Sequence, residues 1–230
     1  IFLFDKAQYE FFHPYNPEHI YYLPLATNTK RWEKVILDMT EADYRKYGHD
    51  VSFVGSLYSE KCRYDKLLEN NSLSSYTQGY VNGLIQAQLK VFGYNFIYDT
   101  LSEDVIREIV SADPFFYKGQ DIFLDTDRYL VAHQYIGMKL ASVERHAILS
   151  SLSERFDVSL YTRSDASGLP RVHTKGGAST LTEMPKIFQA SKINLNITMR
   201  PIETGLSLRI WDILGCGGFL LTNYQAEIPE

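Results

Sequence analysis

The sequence has few cysteines: Cys62 and Cys216 stand far apart among 230 residues and outside any Cys-x-x-Cys pattern. This scarcity excludes a disulfide framework and a cysteine zinc site, and it is typical of a protein of the reducing cytoplasm, where we expect the chain to act. The six histidines show no His-x-His or His-x-x-x-His spacing. We therefore expect no bound metal.

Basic runs and long apolar runs are also lacking. The net charge is −5, from 23 basic and 28 acidic side chains, so we expect neither nucleic acid nor an anionic membrane surface as a partner. The longest uncharged apolar-rich stretch, residues 213–226, is too short to span a bilayer. Because the polar Asp5 and Lys6 follow the first four residues, we expect no signal peptide. With 45% hydrophobic and 22% charged residues, the chain is typical of a globular protein.

The first fifty residues predict one βαβ unit followed by a connector. The strand-like IFLFD precedes a helical stretch from Ala7 to Phe12, and the apolar run HIYYLPLAT follows it. A single βαβ unit cannot form a domain. We therefore assign residues 1–48 to the end of an N-terminal Rossmann-like domain whose earlier part precedes this sequence.

Residues 49–230 predict a second Rossmann-like α/β domain with a helical insertion at about 63–150, incomplete at its end. A strand at residues 50–58 is followed by a mostly helical pattern and then by alternating strands and helices, which favours a parallel sheet. In such a sheet ligands bind at the carboxyl ends of the strands. Two sets of apolar-rich positions in the helical region have helical spacing: Tyr80, Leu84, Ala87 and Val91, and Val131, Tyr135, Met138, Ser142, Arg145 and Leu149.

The segment Val54-Gly-Ser-Leu-Tyr-Ser-Glu-Lys61 is a first candidate for anion binding. Gly55 lets a ligand approach the backbone closely, and Lys61 offers a positive charge to a phosphate. The alternative is a tight strand-to-helix turn with a solvated lysine, and a lone glycine and lysine favour that alternative.

The segment from Thr204 to Thr222 is a second candidate. Ser207 is the predicted N-cap of a helix whose first amides would face a diphosphate in the loop, and Asp212 would accept hydrogen bonds from a ribose. Alternatively, Asp212 is solvated or pairs with Arg209. The glycines at 215, 217 and 218 predict a helix end and a close helix–strand contact, and Cys216 is expected to be a small buried residue.

Two further patterns have structural alternatives. Asn194 and Asn196 alternate with apolar residues and lie either at a ligand edge or in an amide network that holds a loop. Asp125-Thr-Asp127 matches a metal–nucleotide motif of some glycosyltransferases, but it precedes a helical pattern, so we interpret it as an N-cap.

Four segments together resemble the CgeB-like (spore maturation protein) glycosyltransferases, a bacterial family. They are FVGSLYSEKC, the Glu144-Arg145 helix end before FDVSLYT, TEMPKIFQASKINLNIT and TGLSLRIWDILGCGGFLLTN, with a further likeness in the opening LFDKAQYEFF. The resemblance implies a GT-B fold, in which two Rossmann-like domains face each other and the C-terminal one holds the nucleotide-sugar donor without a metal or other cofactor.

The resemblance also implies roles for particular residues. Gly55 and Lys61 match the donor-diphosphate segment of GT-B enzymes, in which Ser56 replaces an arginine. The segment from Thr204 through Gly205, Leu206 and Ser207 to Asp212 is similar to their Glu-x7-Glu motif, with Thr204 replacing the first glutamate. Arg209 would then compensate for the missing arginine at the diphosphate. His173 and Gly177 fall where such enzymes line the pocket for the base.

The function expected is transfer of a sugar from a nucleoside-diphosphate sugar, with a UDP-sugar the expected donor, to the hydroxyl of an acceptor of unknown class. The alternative is a non-catalytic relative that binds a nucleotide sugar or a glycan, and the replacements at Ser56 and Thr204 favour it. The sequence does not name a catalytic base. A dinucleotide oxidoreductase is set aside, because Gly-Ser-Leu-Tyr-Ser-Glu stands where a Gly-x-Gly-x-x-Gly motif is needed.

Overall fold

A computed structural model describes residues 1–117 and 125–229, and the chain divides into two compact units. The first unit comprises Ile1–Leu57, Arg145–Thr198 and Thr204–Glu230, and the second comprises Tyr58–Glu144 and Met199–Glu203. Residues 118–124 of the predicted helical insertion lie outside the described residues. The assignment of residues 1–48 and 49–230 to two domains stays a prediction.

The elements of the described chain are numbered in chain order. The strands are β1 (Phe2–Leu3), β2 (Tyr21–Tyr22), β3 (Val51–Val54), β4 (Val158–Tyr161), β5 (His173–Thr174), β6 (Ile193–Asn196) and β7 (Leu220–Thr222). The α-helices are α1 (Lys6–Phe12), α2 (Thr29–Leu37), α3 (Glu41–Tyr47), α4 (Arg63–Glu69), α5 (Ser75–Gln88), α6 (Ile97–Thr100), α7 (Glu103–Ala112), α8 (Thr126–Leu130), α9 (Gly137–Ser153), α10 (Met184–Ala190) and α11 (Leu208–Gly215). A π-helical segment, Val131–Ile136, precedes α9.

The first unit contains two parallel sheets within the described residues. Strands β1 and β2 pair in parallel on either side of α1 in sequence, which confirms the predicted βαβ unit. The larger sheet has the order β5-β4-β3-β6-β7, and all its pairs are parallel. Counted along the chain within this sheet the order is 3-2-1-4-5, which matches the first five strands of the Rossmann order 3-2-1-4-5-6. The α/β prediction is confirmed and is consistent with a GT-B-like Rossmann fold.

Helices and loops cover both faces of the larger sheet. On one face, Val51 and Phe53 of β3 pack with Leu149 of α9. On the other, Val54 packs with Trp32 of α2 and Phe188 of α10. Because side chains alternate between the two faces of a strand, β3 contributes residues to two separate apolar cores. All four residues of β3, including the polar Ser52, are therefore buried.

The helices of the second unit enclose a core of their own. In α5 the fully buried apolar positions are Val81 and Ile85, whereas the predicted Tyr80 and Leu84 flank that core. The helix ends at Gln88, so the predicted extension of the pattern to Val91 is wrong. No helix of the described chain is both long and apolar enough to span a membrane.

Gly218 provides a test of the predicted close contact between helix and strand. A Cβ atom there would lie 2.6 Å from the carbonyl oxygen of Phe188 and 2.8 Å from Nδ2 of Asn194. We expect Gly218→Ala to lower the free energy of unfolding by about 1–3 kcal/mol, because overpacking forces the backbone to shift. Gly79→Ala is the control: no atom lies within 4 Å of its Cβ, so the change should raise stability by about 0.5–1 kcal/mol. Urea unfolding measures both, and a neutral Gly218→Ala would contradict the packing.

Candidate functional site at the carboxyl edge of the sheet

The strand order defines where a ligand is expected. Strand β3 lies between β4 and β6, and the chain leaves it toward β4 first and reaches β6 later. The crevice between the carboxyl ends of β3 and β6 is the topological switch point, where open α/β sheets bind their ligands. The loops that begin at Gly55 and at Ile197 border this crevice.

Arg145 holds these two loops together. Its guanidinium donates to the carbonyl oxygen of Ser56 at 2.6 Å and to that of Ile197 at 2.5 Å. The same group lies 5.4 Å from the ring centre of Phe53, and the side chain is almost completely buried. Two bonds from one planar cation fix the distance between the strand ends.

Ser164 joins the loop after β4 to the same edge. Its hydroxyl accepts a hydrogen bond from the amide of Leu57 at 2.8 Å and lies 3.4 Å from the hydroxyl of Ser56. The amide of Gly55 donates to the carbonyl of Tyr161, and a Cβ at Gly55 would lie 3.2 Å from the ring of Phe53. Gly55 thus has a packing reason to be glycine, and its predicted approach to a diphosphate stays a prediction.

The two predicted asparagines have internal partners. Asn194 is fully buried, accepts from the hydroxyl of Ser52 at 2.7 Å and donates to the carbonyl of Phe188 in α10. Asn196 donates to the hydroxyls of Thr198 and Thr222 at 2.8 and 2.9 Å. These contacts are those of the amide network that the sequence left open as an alternative. A role at a ligand edge stays a prediction for both.

The start of α11 lies at the end of β6. Ser207 occupies the predicted N-cap position, with an extended backbone conformation, but its hydroxyl makes no capping bond to the helix. Instead it donates to Oδ1 of Asn196 and receives a bond from the hydroxyl of Thr198, both at 3.3 Å. The first turn of α11 therefore has no side-chain cap, and its residue Leu208 is 48% exposed. Uncapped first-turn amides bind anions well.

Asp212 and Arg209 interact with each other on α11. Nη1 of Arg209 lies 3.5 Å from Oδ2 of Asp212, and Oδ1 of that carboxylate accepts from the hydroxyl of Thr27 at 2.9 Å. Burial lowers the pKa of the Arg209 guanidinium. The pairing is the alternative that the sequence left open. The predicted contacts of Asp212 with a ribose and of Arg209 with a diphosphate stay predictions.

Thr204 and Gly205 are packed against the N-terminal segment. The Thr204 hydroxyl lies 3.1 Å from Oδ1 of Asp5 and 2.8 Å from Oε1 of Glu227, and its amide donates to Oδ2 of Asp5. A Cβ at Gly205 would lie 2.7 Å from the Cα of Asp5. Two carboxylates beside one hydroxyl repel a diphosphate. The structure thus argues against a diphosphate contact at Thr204, although it leaves the following Leu206 and Ser207 at the edge of the sheet.

Three predicted residues remain: His173, Gly177 and Lys61. His173 opens the edge strand β5, pairs with Ser159, and its Nε2 lies 3.1 Å from the carboxylate of Asp157, which precedes β4. This position is toward the amino ends of the strands, away from the edge where ligands are expected. Gly177 follows β5, where a Cβ would lie 2.9 Å from the side chain of Arg163. Lys61 belongs to the second unit, in the short 3₁₀ turn Ser59–Lys61.

Two sequence motifs have structural roles. Asp125 is the N-cap of α8 and accepts from the amide of Arg128, as predicted. Cys216 is buried, as predicted, and burial raises the pKa of its thiol to about 12, which disfavours the nucleophilic thiolate. Within residues 1–117 and 125–229, no group of three or more histidine, cysteine, aspartate or glutamate side chains is arranged to hold a metal ion.

Arg145 and Glu227 are the residues of this region that sequence reasoning missed as functional candidates. The signal for Arg145 was available, because a charged residue stands among buried positions of helical spacing that include Tyr135 and Leu149. Buried arginines usually bind carbonyl or acidic groups. The sequence around Glu227 contains no such signal. Its carboxylate accepts hydrogen bonds from Lys6, Tyr22 and Thr204, and each of these is more than twenty residues away in the sequence.

One comparison with known proteins gives a match, and it covers the C-terminal part of the chain. Residues 145–230 match a family model described as glycosyl transferase-like. Comparisons with curated proteins and with solved structures give no match. The matched segment begins at Arg145 and includes β4 to β7, α10 and α11. The match supports a glycosyltransferase-like domain in this part of the chain.

Proposed function

We propose that the protein transfers a sugar from a nucleoside-diphosphate sugar, with a UDP-sugar the expected donor, to an acceptor hydroxyl. The observation that carries the proposal is the uncapped start of α11 beside the switch point of the sheet. The first amides of α11 would bind the diphosphate, and the positive end of the helix dipole would favour its charge. The glycosyl transferase-like match of residues 145–230 supports the reaction class, and the narrower CgeB-like assignment is part of the proposal.

The chemistry asked of these groups is stabilisation of the leaving group. As the bond between the sugar and the diphosphate breaks, negative charge grows on the departing phosphate oxygen. Donors held in place by the fold stabilise that charge without reorganising, and loss of one such donor typically costs about 10²–10³ in rate. Arg145 would act as a positioning residue, because it fixes the two loops without contacting the nucleotide itself.

Ser207→Asp tests the proposed diphosphate site. The new carboxylate would cap the first turn of α11 and place a negative charge where the diphosphate binds. We expect affinity for UDP, measured by calorimetry, to fall about tenfold or more, while affinity for uridine stays unchanged. The same comparison is made with GDP and guanosine, which tests a donor whose base is guanine.

Ser102→Asp is the matched control. Ser102 is also an N-cap serine, and its hydroxyl accepts from the amide of Val105 at the start of α7 in the second unit. This variant should bind UDP as the unmodified protein does. Unchanged UDP affinity in Ser207→Asp, or failure of the unmodified protein to bind any nucleoside diphosphate, would refute the proposal.

A non-catalytic function has a specific observation in its favour. Thr204 replaces the first acid of the Glu-x7-Glu motif that the resemblance implies, and its hydroxyl is occupied by Asp5 and Glu227. The protein would then bind a nucleotide sugar or a glycan without turnover. Release of labelled sugar from a radiolabelled donor in the presence of acceptor distinguishes the two, since a binding protein gives stoichiometric binding and no product.

A further inference from the structure

A cavity of about 300 Å³ lies within the first unit, beside the start of α11. Its lining residues come from the N-terminal βαβ unit, from α11 with the residue before it, and from the C-terminal segment: Phe4, Tyr22, Pro24, Leu25, Leu206, Trp211, Glu227 and Ile228. The volume is at the lower end of the range of small-molecule pockets, about 300–1,000 Å³. It therefore fits one ring better than a whole nucleotide.

The walls select a neutral ligand. Three lining residues are aromatic, and none of the eight is lysine, arginine or histidine. The lining itself therefore offers a phosphate or a carboxylate no cation with which to pair. A second cation is disfavoured as well, because Nζ of Lys6 already lies 5.9 Å from the ring centre of Tyr22.

Glu227 supplies the polar contact. The residue is 9% exposed, and its carboxylate accepts from the amide of Lys6 at 3.0 Å, the hydroxyl of Thr204 at 2.8 Å and the hydroxyl of Tyr22 at 2.7 Å. A carboxylate offers about four acceptor positions, so one remains for a ligand hydroxyl. Aromatic faces beside a hydrogen-bond acceptor suit a ring that has both C–H faces and hydroxyl groups.

We propose that this cavity binds a neutral hexopyranose ring, with Glu227 accepting from one of its hydroxyls, and that this ring belongs to the acceptor. Leu206 lines the cavity and directly precedes Ser207, so a sugar attached to a diphosphate at the start of α11 would lie next to it. The assignment of this ring to the acceptor rests on the proposed function. The binding of a neutral ring in the cavity does not depend on that function.

The experiment uses saturation-transfer NMR on the chain with the methyl glycosides of glucose, galactose and mannose. Leu25→Trp fills the cavity, and Leu23→Trp is the matched control, because Leu23 is 54% exposed and does not line it. We expect at least one glycoside to bind the unmodified protein and the control alike, and Leu25→Trp to weaken that binding tenfold or more. Glu227→Gln is the second variant, kept for the case in which Leu25→Trp does not fold, and it should weaken binding too.

The outcomes separate this inference from the proposed function. UDP affinity should be unchanged in Leu25→Trp, so loss of glycoside binding with retained UDP binding supports a separate sugar site. The inference is overturned if no glycoside binds at about 10 mM, which corresponds to weaker than about −2.7 kcal/mol. It is also overturned if Leu25→Trp and Glu227→Gln bind as the unmodified protein does, or if tetramethylammonium or uridine displaces the glycoside. Glycoside binding without any UDP binding would leave the sugar site standing and remove the proposed donor site.

Discussion

Replacing Arg145 by methionine is expected to lower the free energy of unfolding by about 3 kcal/mol. The variant keeps the apolar contacts of the side-chain stem but removes the donors to the carbonyls of Ser56 and Ile197, which lie at 2.6 and 2.5 Å. A hydrogen bond to a charged group contributes about 1.5–3 kcal/mol. Part of the cost of losing both hydrogen bonds is offset, because the variant has no cation to desolvate on folding. Urea unfolding followed by circular dichroism measures the change.

The same variant should weaken nucleotide binding even where it is folded. The loops after β3 and β6 border the switch point, and Arg145 is the described side chain that bonds to both. We expect UDP affinity to fall about tenfold or more, measured at a temperature where circular dichroism shows a native spectrum.

Two controls belong to this prediction. Arg145→Lys keeps the charge, but one ammonium cannot reproduce the planar fork, so an intermediate loss is expected. Arg155→Met removes an exposed arginine and should change stability by no more than about 0.5 kcal/mol. Equal stability of Arg145→Met and Arg155→Met would contradict the proposed role of Arg145 in holding the loops.

Breaking the buried ion pair of the second unit is expected to have the largest effect on stability. Arg200 donates to both carboxylate oxygens of Glu144, at 2.6 and 3.2 Å, and the two side chains are 7% and 5% exposed. Arg200 also donates to the carbonyl of Val91 and lies 4.1 Å from the ring centre of Phe92. Arg200→Met should cost about 3–5 kcal/mol, because it leaves a buried carboxylate without its partner.

The double variant provides the control for that prediction. Replacing Glu144 by glutamine in addition to Arg200→Met removes the unpaired charge, so we expect it to recover most of the lost stability. The coupling energy from the double-mutant cycle should therefore be large and favourable. A double variant that loses the sum of the two single losses would show that the pair does not act as a unit.

Much of the fold could be predicted because its signals are local. The strands β3 and β4 are short, mostly apolar segments, and β6 alternates apolar residues with Asn194 and Asn196. The glycines at 217 and 218 follow α11 where a helix end was predicted. Gly217 has a φ of +73°, which a glycine adopts at no steric cost. The two-residue strand β5 could not be predicted, because its pairing with β4 depends on the tertiary structure and not on a pattern of its own.

The candidate site was harder to predict because side-chain partners depend on distant segments. The position of Ser207 at the start of α11 follows from the sequence, but the direction of its hydroxyl depends on Asn196 and Thr198 at the end of β6. Thr204 likewise meets Asp5 from the opposite end of the chain. The spacing of residues in one segment predicts which of them lie near one another. Their hydrogen-bond partners in distant segments depend on the tertiary packing.

The most direct test of the account is a crystal structure of the chain soaked with UDP. We expect the diphosphate oxygens to accept hydrogen bonds from the first backbone amides of α11, near Ser207. The loop that Arg145 holds at Ser56 should border the same crevice. A diphosphate bound at any other part of the chain, with the start of α11 left in contact with water, would contradict it.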